Sequence, residues 1–170
     1  MDIPEPLRLV ESYLNSIDVE TGADDLADLG RFTRWLAEHG RPVTPSADDL
    51  DLARRLRDAL RGQARDHSVT GLLDPLATAI PLVVTWSGGD PALRPAYGGV
   101  RGVLGEILAA VALAGHDGSW RRMKICPADD CQWVYYDHSK NASRRWCSME
   151  VCGNRNKTRA YRRRHRTADA

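Results

Sequence analysis

Two short segments, C-P-A-D-D-C at residues 126–131 and C-S-M-E-V-C at residues 147–152, hold all four cysteines of this 170-residue chain. Fifteen residues separate the two pairs, so the pattern is C-x4-C, fifteen residues, C-x4-C. Two close pairs that a short return of the chain can bring together are typical of a closed structural zinc site. We therefore predict one structural Zn²⁺ ion, bound by the four thiolates of Cys126, Cys131, Cys147 and Cys152.

Other chemistry could use the same four thiols. An iron–sulfur cluster is also satisfied by four thiolates. Two structural disulfides need an exported protein, and the chain shows no export signal. Thiol redox chemistry is a further alternative. A catalytic zinc is disfavoured, because four cysteines leave no open position for water.

The residues around the cysteines predict a treble-clef-like finger. Residues 133–137 and 144–146 are expected to form a hairpin whose second strand delivers Cys147. Ser148 is placed to cap a helix, so that Cys152 would bind zinc from the first turns of that helix. Three aromatic side chains are expected to pack around the metal and against the helix: Trp133, Tyr135 and Trp146. Stacking of a base on one of them is the alternative.

Charge is divided unevenly along the chain, although the net formal charge is only +1. Residues 1–120 carry 11 Lys+Arg and 18 Asp+Glu, a balance of −7. Residues 121–170 carry 13 Lys+Arg and 5 Asp+Glu, a balance of +8. A basic C-terminal unit indicates a polyanionic partner.

A basic helix is predicted after the last cysteine. Between residues 151 and 168 the chain has seven basic residues and no acidic residue. At 100° per residue, Arg155, Arg159, Arg162 and Arg166 fall within about 60° of one another. Such a row repels itself unless a polyanion binds it, and arginine suits phosphate and guanine. A solvated charged tail, or a patch for an acidic protein or for the acidic N-terminal domain itself, is the alternative.

The predicted nucleic-acid-binding residues come from this helix and from the expected hairpin before it. They are Lys140, Arg144, Arg145, Arg155, Lys157, Arg159, Arg162, Arg163 and Arg166. DNA is the expected partner. RNA or the ribosome, and an acidic protein surface, are rival partners for the same residues.

The first 117 residues predict a mostly helical domain. Apolar residues recur at helical spacing in residues 4–16, 24–39, 46–66, 72–79 and 99–115. Residues 81–86 are β-branched and aromatic, and Ser-Gly-Gly-Asp at residues 87–90 is turn chemistry, so a small β-hairpin that returns over residues 91–97 is expected. Gly115-His116-Asp117-Gly118 ends the last helix and is interpreted as a domain boundary.

The predicted class is therefore α+β. A mostly α-helical domain with a small β-hairpin covers residues 1–117. A treble-clef-like four-cysteine zinc finger that ends in a basic helix covers residues 118–166. The tail, residues 167–170, is expected to be disordered.

Several functional classes are not supported by the sequence. No apolar run approaches the roughly 20 residues of a membrane span, and no signal peptide is visible, so a cytoplasmic protein is expected. His39, His67 and His116 are scattered at predicted helix ends and loops, where capping or surface roles are the expectation. Gly88-Gly89 is interpreted as a turn rather than a phosphate cradle. We expect no enzyme.

The cysteine region resembles the CGNR zinc fingers, which are named after the tetrapeptide found here as Cys152-Gly153-Asn154-Arg155. Residues 126–127, 131–133, 136–141, 143–149 and 155–157 also match, so the resemblance covers about residues 120–166. Upstream, the chain is similar to the ABATE domain, with Tyr13-Leu14-Asn15-Ser16 where that domain has an aromatic-aliphatic-Asn-Thr stretch.

The resemblance implies a bacterial, stress-induced transcription regulator, cytoplasmic and associated with the nucleoid, whose finger binds DNA. It implies zinc on the same four cysteines that the spacing indicates. For the motif residues Gly153 and Asn154 we expect structural roles. Asn154 is expected to tie the backbone by hydrogen bonds, and Gly153 to allow a close approach. The N-terminal domain would sense a small-molecule effector or form a homodimer, and the sequence favours neither.

Overall fold

The computed structural model describes residues 3–69 and 71–166, and the predicted disordered tail lies outside these residues. The helices are α1 (Glu5–Leu14), α2 (Leu29–Glu38), α3 (Ala47–Arg65), α4 (Leu73–Ala79), α5 (Gly99–His116) and α6 (Asn154–Arg166). The strands are β1 (Leu82–Ser87), β2 (Asp90–Pro95), β3 (Met123–Ile125) and β4 (Val134–Tyr136). A 3-10 turn, Ser119–Arg122, precedes β3, and a π-helical turn, Met149–Gly153, leads into α6. The predicted fold class is confirmed.

Helix starts follow local capping chemistry. A capping box at Ser46 begins α3, as the sequence predicts. α2 begins at Leu29 rather than at residue 24, because the Asp28 carboxylate is the cap and accepts a hydrogen bond from the N–H of Arg31. The capping residue therefore sets the start of α2, not the first apolar residue of the periodic stretch.

One cluster of buried side chains, which we call the common cluster, connects the helices with the β3–β4 pair. The helices contribute fully buried side chains that include Tyr13, Phe32, Leu60 and Ile107. The segment after α5 contributes Trp120, Met123, Ile125 and Val134 to the same cluster. Buried side chains are thus continuous across the boundary predicted at residue 117. The division into two units stays a prediction.

The predicted β1–β2 hairpin is present and projects from α5. The strands pair antiparallel from Leu82↔Pro95 to Ser87↔Asp90. Gly88 and Gly89 between them have φ values of 67° and 99°. Two positive φ values in a two-residue loop match the twist of the strands. The Pro95 ring lies against Gly105 of α5, where an added Cβ would come within 2.8 Å, so β2 is the strand that attaches the hairpin.

The strand pairing in the finger differs from the prediction. β4 pairs antiparallel with β3, from Met123↔Tyr136 to Ile125↔Val134, and not with residues 144–146. The physical reason is burial, because Met123, Ile125 and Val134 all enter the common cluster. Residues 144–146 carry two arginines and have no such apolar face. The predicted second strand is therefore wrong, and Cys147 is delivered by a loop.

α5 is, within the described part of the chain, the one helix long and apolar enough by length and composition to cross a membrane. Half of its 18-residue window is buried inside the protein, and Val103, Leu104 and Ile107 pack in the common cluster. A buried central helix passes the same test. We interpret α5 as the core helix of this fold.

Candidate metal centre

The four cysteines meet at one point. Their Sγ atoms all lie within 4.8 Å of one another. The Sγ atom of Cys147 is 3.5 Å from that of Cys131 and 3.6 Å from that of Cys152. A tetrahedron with Zn–S bonds of about 2.3 Å has edges of about 3.8 Å. Donor type, number and spacing therefore fit one structural zinc ion, which the four thiolates would hold with no position open to water.

The first cysteine pair lies in the turn of the β3–β4 hairpin, which we call the knuckle (residues 126–132). The backbone N–H of Cys126 donates to Trp133 O at 2.8 Å, and that of Cys131 donates to Ala128 O at 2.9 Å. These bonds fold the knuckle around the metal position. Gln132 completes it with φ at 52°, in the left-handed region.

The second cysteine pair precedes α6. Ser148 accepts a hydrogen bond from the N–H of Val151 at 3.2 Å and so caps the turn that carries Cys152, as the sequence predicts. An added Cβ on Gly153 would lie 3.1 Å from the Met149 thioether, so the glycine permits a close contact there. The Asn154 amide donates to Glu150 O at 3.1 Å.

Burial and mutual contact shift the pKa values of these thiols in opposite directions. Burial raises the pKa of Cys152 to about 11, and a hydrogen bond with the Cys131 thiol adds to the shift. Burial and the same kind of contact also raise the pKa of Cys147. Burial acts against ionisation of Cys126 as well, but hydrogen bonds from backbone amides and neighbouring thiols lower its pKa. Four adjacent thiols cannot all ionise alone, whereas a divalent cation would neutralise them.

Asp137 organises the loop that delivers Cys147. Its side chain is fully buried and accepts hydrogen bonds from the Lys124 ammonium at 2.7 Å and the Arg144 N–H at 2.8 Å. It also accepts from both the N–H and the hydroxyl of Ser139. Burial opposes ionisation, but the Lys124 ammonium and the other donors outweigh it and hold the pKa of Asp137 well below its usual range.

Arg144, a predicted nucleic-acid contact, is used within the finger. Its guanidinium donates to Trp146 O at 2.8 Å and to Cys147 O, and it lies 5.1 Å from the centroid of the Tyr135 ring. The Tyr135 hydroxyl in turn donates to Arg144 O at 3.0 Å. These contacts fix the backbone immediately before and at the third cysteine.

The three aromatic residues of the finger are in different environments. Tyr135 is buried against the cysteines, and Trp146 is partly buried against the same cluster. Trp133 is 40% exposed. The prediction that all three pack around the metal is therefore wrong for Trp133, whose position just after the knuckle turns it outward.

Helix α3 holds the finger through a row of arginines that sequence reasoning did not single out. Arg61 donates to Leu14 O at 2.6 Å and to Gln132 O at 2.9 Å, and Arg65 donates to the Gln132 side chain at 2.7 Å. Arg57, one turn earlier, is buried and paired with Asp24 at 2.6 Å. The sequence does contain a signal for this row, because arginines at four-residue intervals interrupt the apolar face of α3.

Asn15 provides a second attachment between the helical part and the finger. Its amide donates to Val134 O at 2.8 Å, and its carbonyl oxygen accepts from the Val134 N–H at 2.8 Å. The side chain thus imitates a neighbouring strand for β4. This gives a physical role to the Asn of the Tyr13–Ser16 stretch that resembles the ABATE domain.

The arginine stripe of α6 is partly occupied. Arg155 pairs with Asp130 at 2.9 Å and with Glu20 at 3.0 Å, and Arg159 pairs with Asp130 at 2.8 Å. Hydrogen bonds from Arg159 and then Arg155 lower the pKa of Asp130 to about 2. Asp130 and Glu20 also raise the pKa of Arg155. The start of α6 is therefore clamped to the knuckle and to the loop after α1.

Other predicted nucleic-acid contacts point to solvent. Lys140, Lys157 and Arg162 are exposed and make no ion pair within the described residues. Arg145 is exposed and lies 5.3 Å from the centroid of the Trp146 ring. The side chains of Arg163 and Arg166 lie outside the part of the chain that the structure describes.

A groove of about 840 Å³ runs beside the cysteines, between α3 and the finger. Its walls bring together four cationic side chains and one acidic side chain, namely Arg65, Lys124, Arg144, Arg145 and Asp129. His67, predicted as a capping or surface residue, also lines the groove. Burial lowers the pKa of His67, so its imidazole is largely neutral at pH 7.

His39 has a structural role. Its ring stacks on Trp35 with centroids 4.1 Å apart, and its nitrogens contact Trp35 O and the Ser12 hydroxyl. His116 is exposed at the end of α5. No pair of these histidines forms a metal or acid–base site within the described residues.

The family comparisons agree with this architecture. Residues 6–130 match the ABATE family model, described as "Putative stress-induced transcription regulator", and residues 122–165 match the CGNR zinc finger model. The chain belongs to the ABATE family and carries a CGNR zinc finger. The two matches overlap over residues 122–130, which include β3 and part of the knuckle. A search of curated proteins found no match. The class of protein is thus a zinc-binding member of a regulator family.

Proposed function

We propose that this protein binds DNA through its zinc finger and α6 and regulates transcription. The observation that carries the proposal is the chemistry of α6. This helix has no acidic residue, and Lys157 and Arg162 are exposed with no ion pair in the described part of the chain. Exposed cations on a rigid helix are suited to phosphate contacts, which supply most of the affinity for duplex DNA.

The clamped arginines support this role indirectly. Arg155 and Arg159 hold the first turns of α6 on the knuckle through Asp130. The later turns therefore leave the protein in a fixed direction, which reduces the ordering cost of binding. A zinc ion held by the four thiolates would add to this rigidity, because it would tie Cys152, in the turn that leads into α6, to the cysteines of the knuckle. We assign binding, and no catalysis, to this site.

The groove beside the cysteines offers a second cationic surface. Arg65 from α3 and Arg145 from the finger both line it. A concave cationic surface concentrates the potential that attracts a polyanion. A DNA backbone that contacts Lys157 and Arg162 could therefore also meet residues of the helical part. We place the protein in the cytoplasm, associated with the nucleoid.

RNA is a second candidate because one aromatic ring of the finger and one of α6 are exposed. Trp133 is 40% exposed and Tyr161 is 57% exposed. Tyr161 follows Lys157 by four residues and therefore shares its side of the helix. Unpaired bases stack on such rings.

The test is fluorescence anisotropy of the zinc-loaded protein against three ligands: a duplex from its own upstream region, a scrambled duplex and a matched RNA. Tight binding to the upstream duplex alone supports a specific regulator. Preference for RNA would favour the second candidate. Absence of binding to all three at low salt would contradict nucleic-acid binding.

The salt dependence tests the residues. Each phosphate contact contributes about −0.9 to the slope of log K against log salt. The double variant Lys157→Ala/Arg162→Ala should therefore flatten the slope by about 2. The control is Arg34→Ala/Arg101→Ala, which removes the same charge from exposed positions of α2 and α5. Equal slopes for the two double variants would show that Lys157 and Arg162 do not contact the phosphates.

A further inference from the structure

The β1–β2 hairpin presents an apolar strand to solvent. Trp86 is 72% exposed, more than any other large hydrophobic residue in the described part of the chain. Val84 on the same face is 53% exposed, and Val83 on the opposite face is 43% exposed. Side chains on both faces of β1 are thus accessible, since the hairpin is attached to α5 through β2.

The backbone groups on the free side of β1 can be identified from the register. The Ala96 N–H donates to Pro81 O at 3.0 Å, which continues the ladder beyond Leu82↔Pro95. Residues 81, 83, 85 and 87 therefore direct their backbone groups to β2, because these directions alternate along a strand. The N–H and C=O groups of Leu82, Val84 and Trp86 point the other way. No described strand pairs with this side, which we call the β1 edge.

The two edges of the hairpin are not equivalent. On the outer side of β2 the corresponding residues are Pro91, Leu93 and Pro95, of which only Leu93 has an N–H. Proline is a residue with which proteins block strand pairing, as are charged side chains. The β1 edge has neither, because residues 82–87 read L-V-V-T-W-S. One edge is therefore blocked, while the other remains able to pair.

We propose that β1 pairs antiparallel with β1 of a second copy of this chain, so that two hairpins form a four-stranded sheet about a twofold axis at Val84. In this register Val84 lies opposite its own copy, and Leu82 lies opposite the copy's Trp86. All three residues have outward backbone groups, so each opposed pair exchanges two hydrogen bonds. The same register places the three apolar side chains on one face of the new sheet.

Pairing with a second copy of β1 explains the order of apolar residues along this strand better than pairing with an unrelated peptide does. The apolar positions are symmetric about Val84, with Leu82 on one side and Trp86 on the other. On the opposite face Val83 would meet the copy's Thr85, and two β-branched residues pack well across strands. A closed twofold contact requires one surface to complement itself. A single strand pair is a small interface, which indicates a weak dimer.

The test is the mass of the full zinc-loaded chain by sedimentation velocity, from about 1 to 200 µM, the range for a weak interface. We expect the mass to rise from 18.9 kDa toward twice that value. Trp86→Lys should weaken the dimer at least about 30-fold, because a buried interface tryptophan is typically a hot spot. The control is Leu72→Lys, which adds the same charge at a 67% exposed leucine before α4.

A second variant tests the backbone. Val84→Pro removes one outward N–H without removing a hydrogen bond between β1 and β2, and it should also abolish the dimer. Hydrogen exchange of the unaltered protein tests the same interface without relying on a variant that folds correctly. In the unaltered protein the Val84 and Trp86 amides should exchange more slowly at high concentration, while the Val83 and Thr85 amides do not change. A monomer throughout the concentration range would overturn the proposal, and so would a dimer that Leu72→Lys weakens as much as Trp86→Lys.

Discussion

Asp137 is a buried charge in the loop that delivers Cys147, and its substitution by asparagine gives a quantitative test. The carboxylate is completely buried, and it is paired with Lys124 at 2.7 Å. It also accepts hydrogen bonds from the N–H groups of Ser139 and Arg144. Asp137→Asn keeps the shape and one carbonyl oxygen, but it removes the negative charge and leaves the Lys124 ammonium with only the carbonyl oxygens of Ala142 and Arg144 as partners.

The expected cost follows from this geometry. Removal of one member of a fully buried ion pair costs about 3–5 kcal/mol. The side chain of Lys124 is 26% exposed, so water can partly solvate the ammonium left behind. The asparagine oxygen also keeps part of the hydrogen bonding. We therefore expect a loss of about 2–3 kcal/mol in the free energy of unfolding, which lowers Tm by about 4–12 °C.

Thermal and chemical unfolding of the zinc-loaded protein measure this loss. Asp129→Asn is the control, because it removes the same charge from an exposed knuckle residue and should change the free energy by less than about 0.5 kcal/mol. A double-mutant cycle with Lys124→Met isolates the pair. Equal stabilities of Asp137→Asn and Asp129→Asn, or a coupling energy near zero, would refute the role of Asp137.

The pH dependence has a defined sign. The pKa of Asp137 is lowered in the folded protein, so the carboxylate stabilises the fold fully above its unfolded pKa of about 3.9. That contribution is lost as the pH falls through the folded pKa. The stability difference between the unaltered protein and Asp137→Asn should therefore be constant from pH 8 to 6 and shrink below about pH 4. A difference that shrinks already between pH 8 and 6 would contradict the assignment.

Two further substitutions test the metal centre and its attachment. Cys147→Ser should lower zinc occupancy and unfold the loop before it together with α6, while β3 and β4 stay protected in hydrogen exchange, because they pack in the common cluster. Full zinc occupancy in this variant would contradict the four-thiolate site. Asn15→Ala removes both hydrogen bonds to the Val134 backbone and should cost about 2 kcal/mol in chemical unfolding. A loss below about 0.5 kcal/mol would show that β4 does not need this side chain.

The local features of the metal centre were predictable from sequence, whereas its strand pairing was not. Cysteine spacing and the Ser148 cap are properties of neighbouring residues, so pattern reasoning finds them. The partner of β4 depends on which segment can bury apolar side chains against α3. Residues 144–146 are the predicted partner, but Met123 and Ile125 are the residues that enter the common cluster, and this packing depends on tertiary contacts.

The roles of the arginines show the same limit. Arg155 and Arg162 are equivalent on a helical wheel, yet only Arg155 is shown paired with acids, and those lie 25 and 135 residues away in sequence. Arg144 also differs from its predicted role, since its guanidinium donates to the carbonyl oxygens of Trp146 and Cys147. Composition indicates that a polyanion could bind, but only tertiary contacts show which cations remain available to it.

The cations of this chain therefore divide into a set that attaches the finger and a set that stays exposed. Arginines of α3 and α6 attach the finger. Arg155 of α6 pairs with Glu20 in the acidic half, and Arg61 of α3 donates to Leu14 O in α1 and to Gln132 O in the knuckle. Lys157 and Arg162 take no part in this attachment: Lys157 lies between the clamped Arg155 and Arg159 but is exposed, and Arg162 lies beyond them. Since the attachment uses Arg155 and Arg159 and leaves these two cations exposed, we expect salt to weaken the proposed DNA binding at lower concentrations than those that loosen the finger. The buried strands β3 and β4 hold the finger by apolar packing, which salt does not screen.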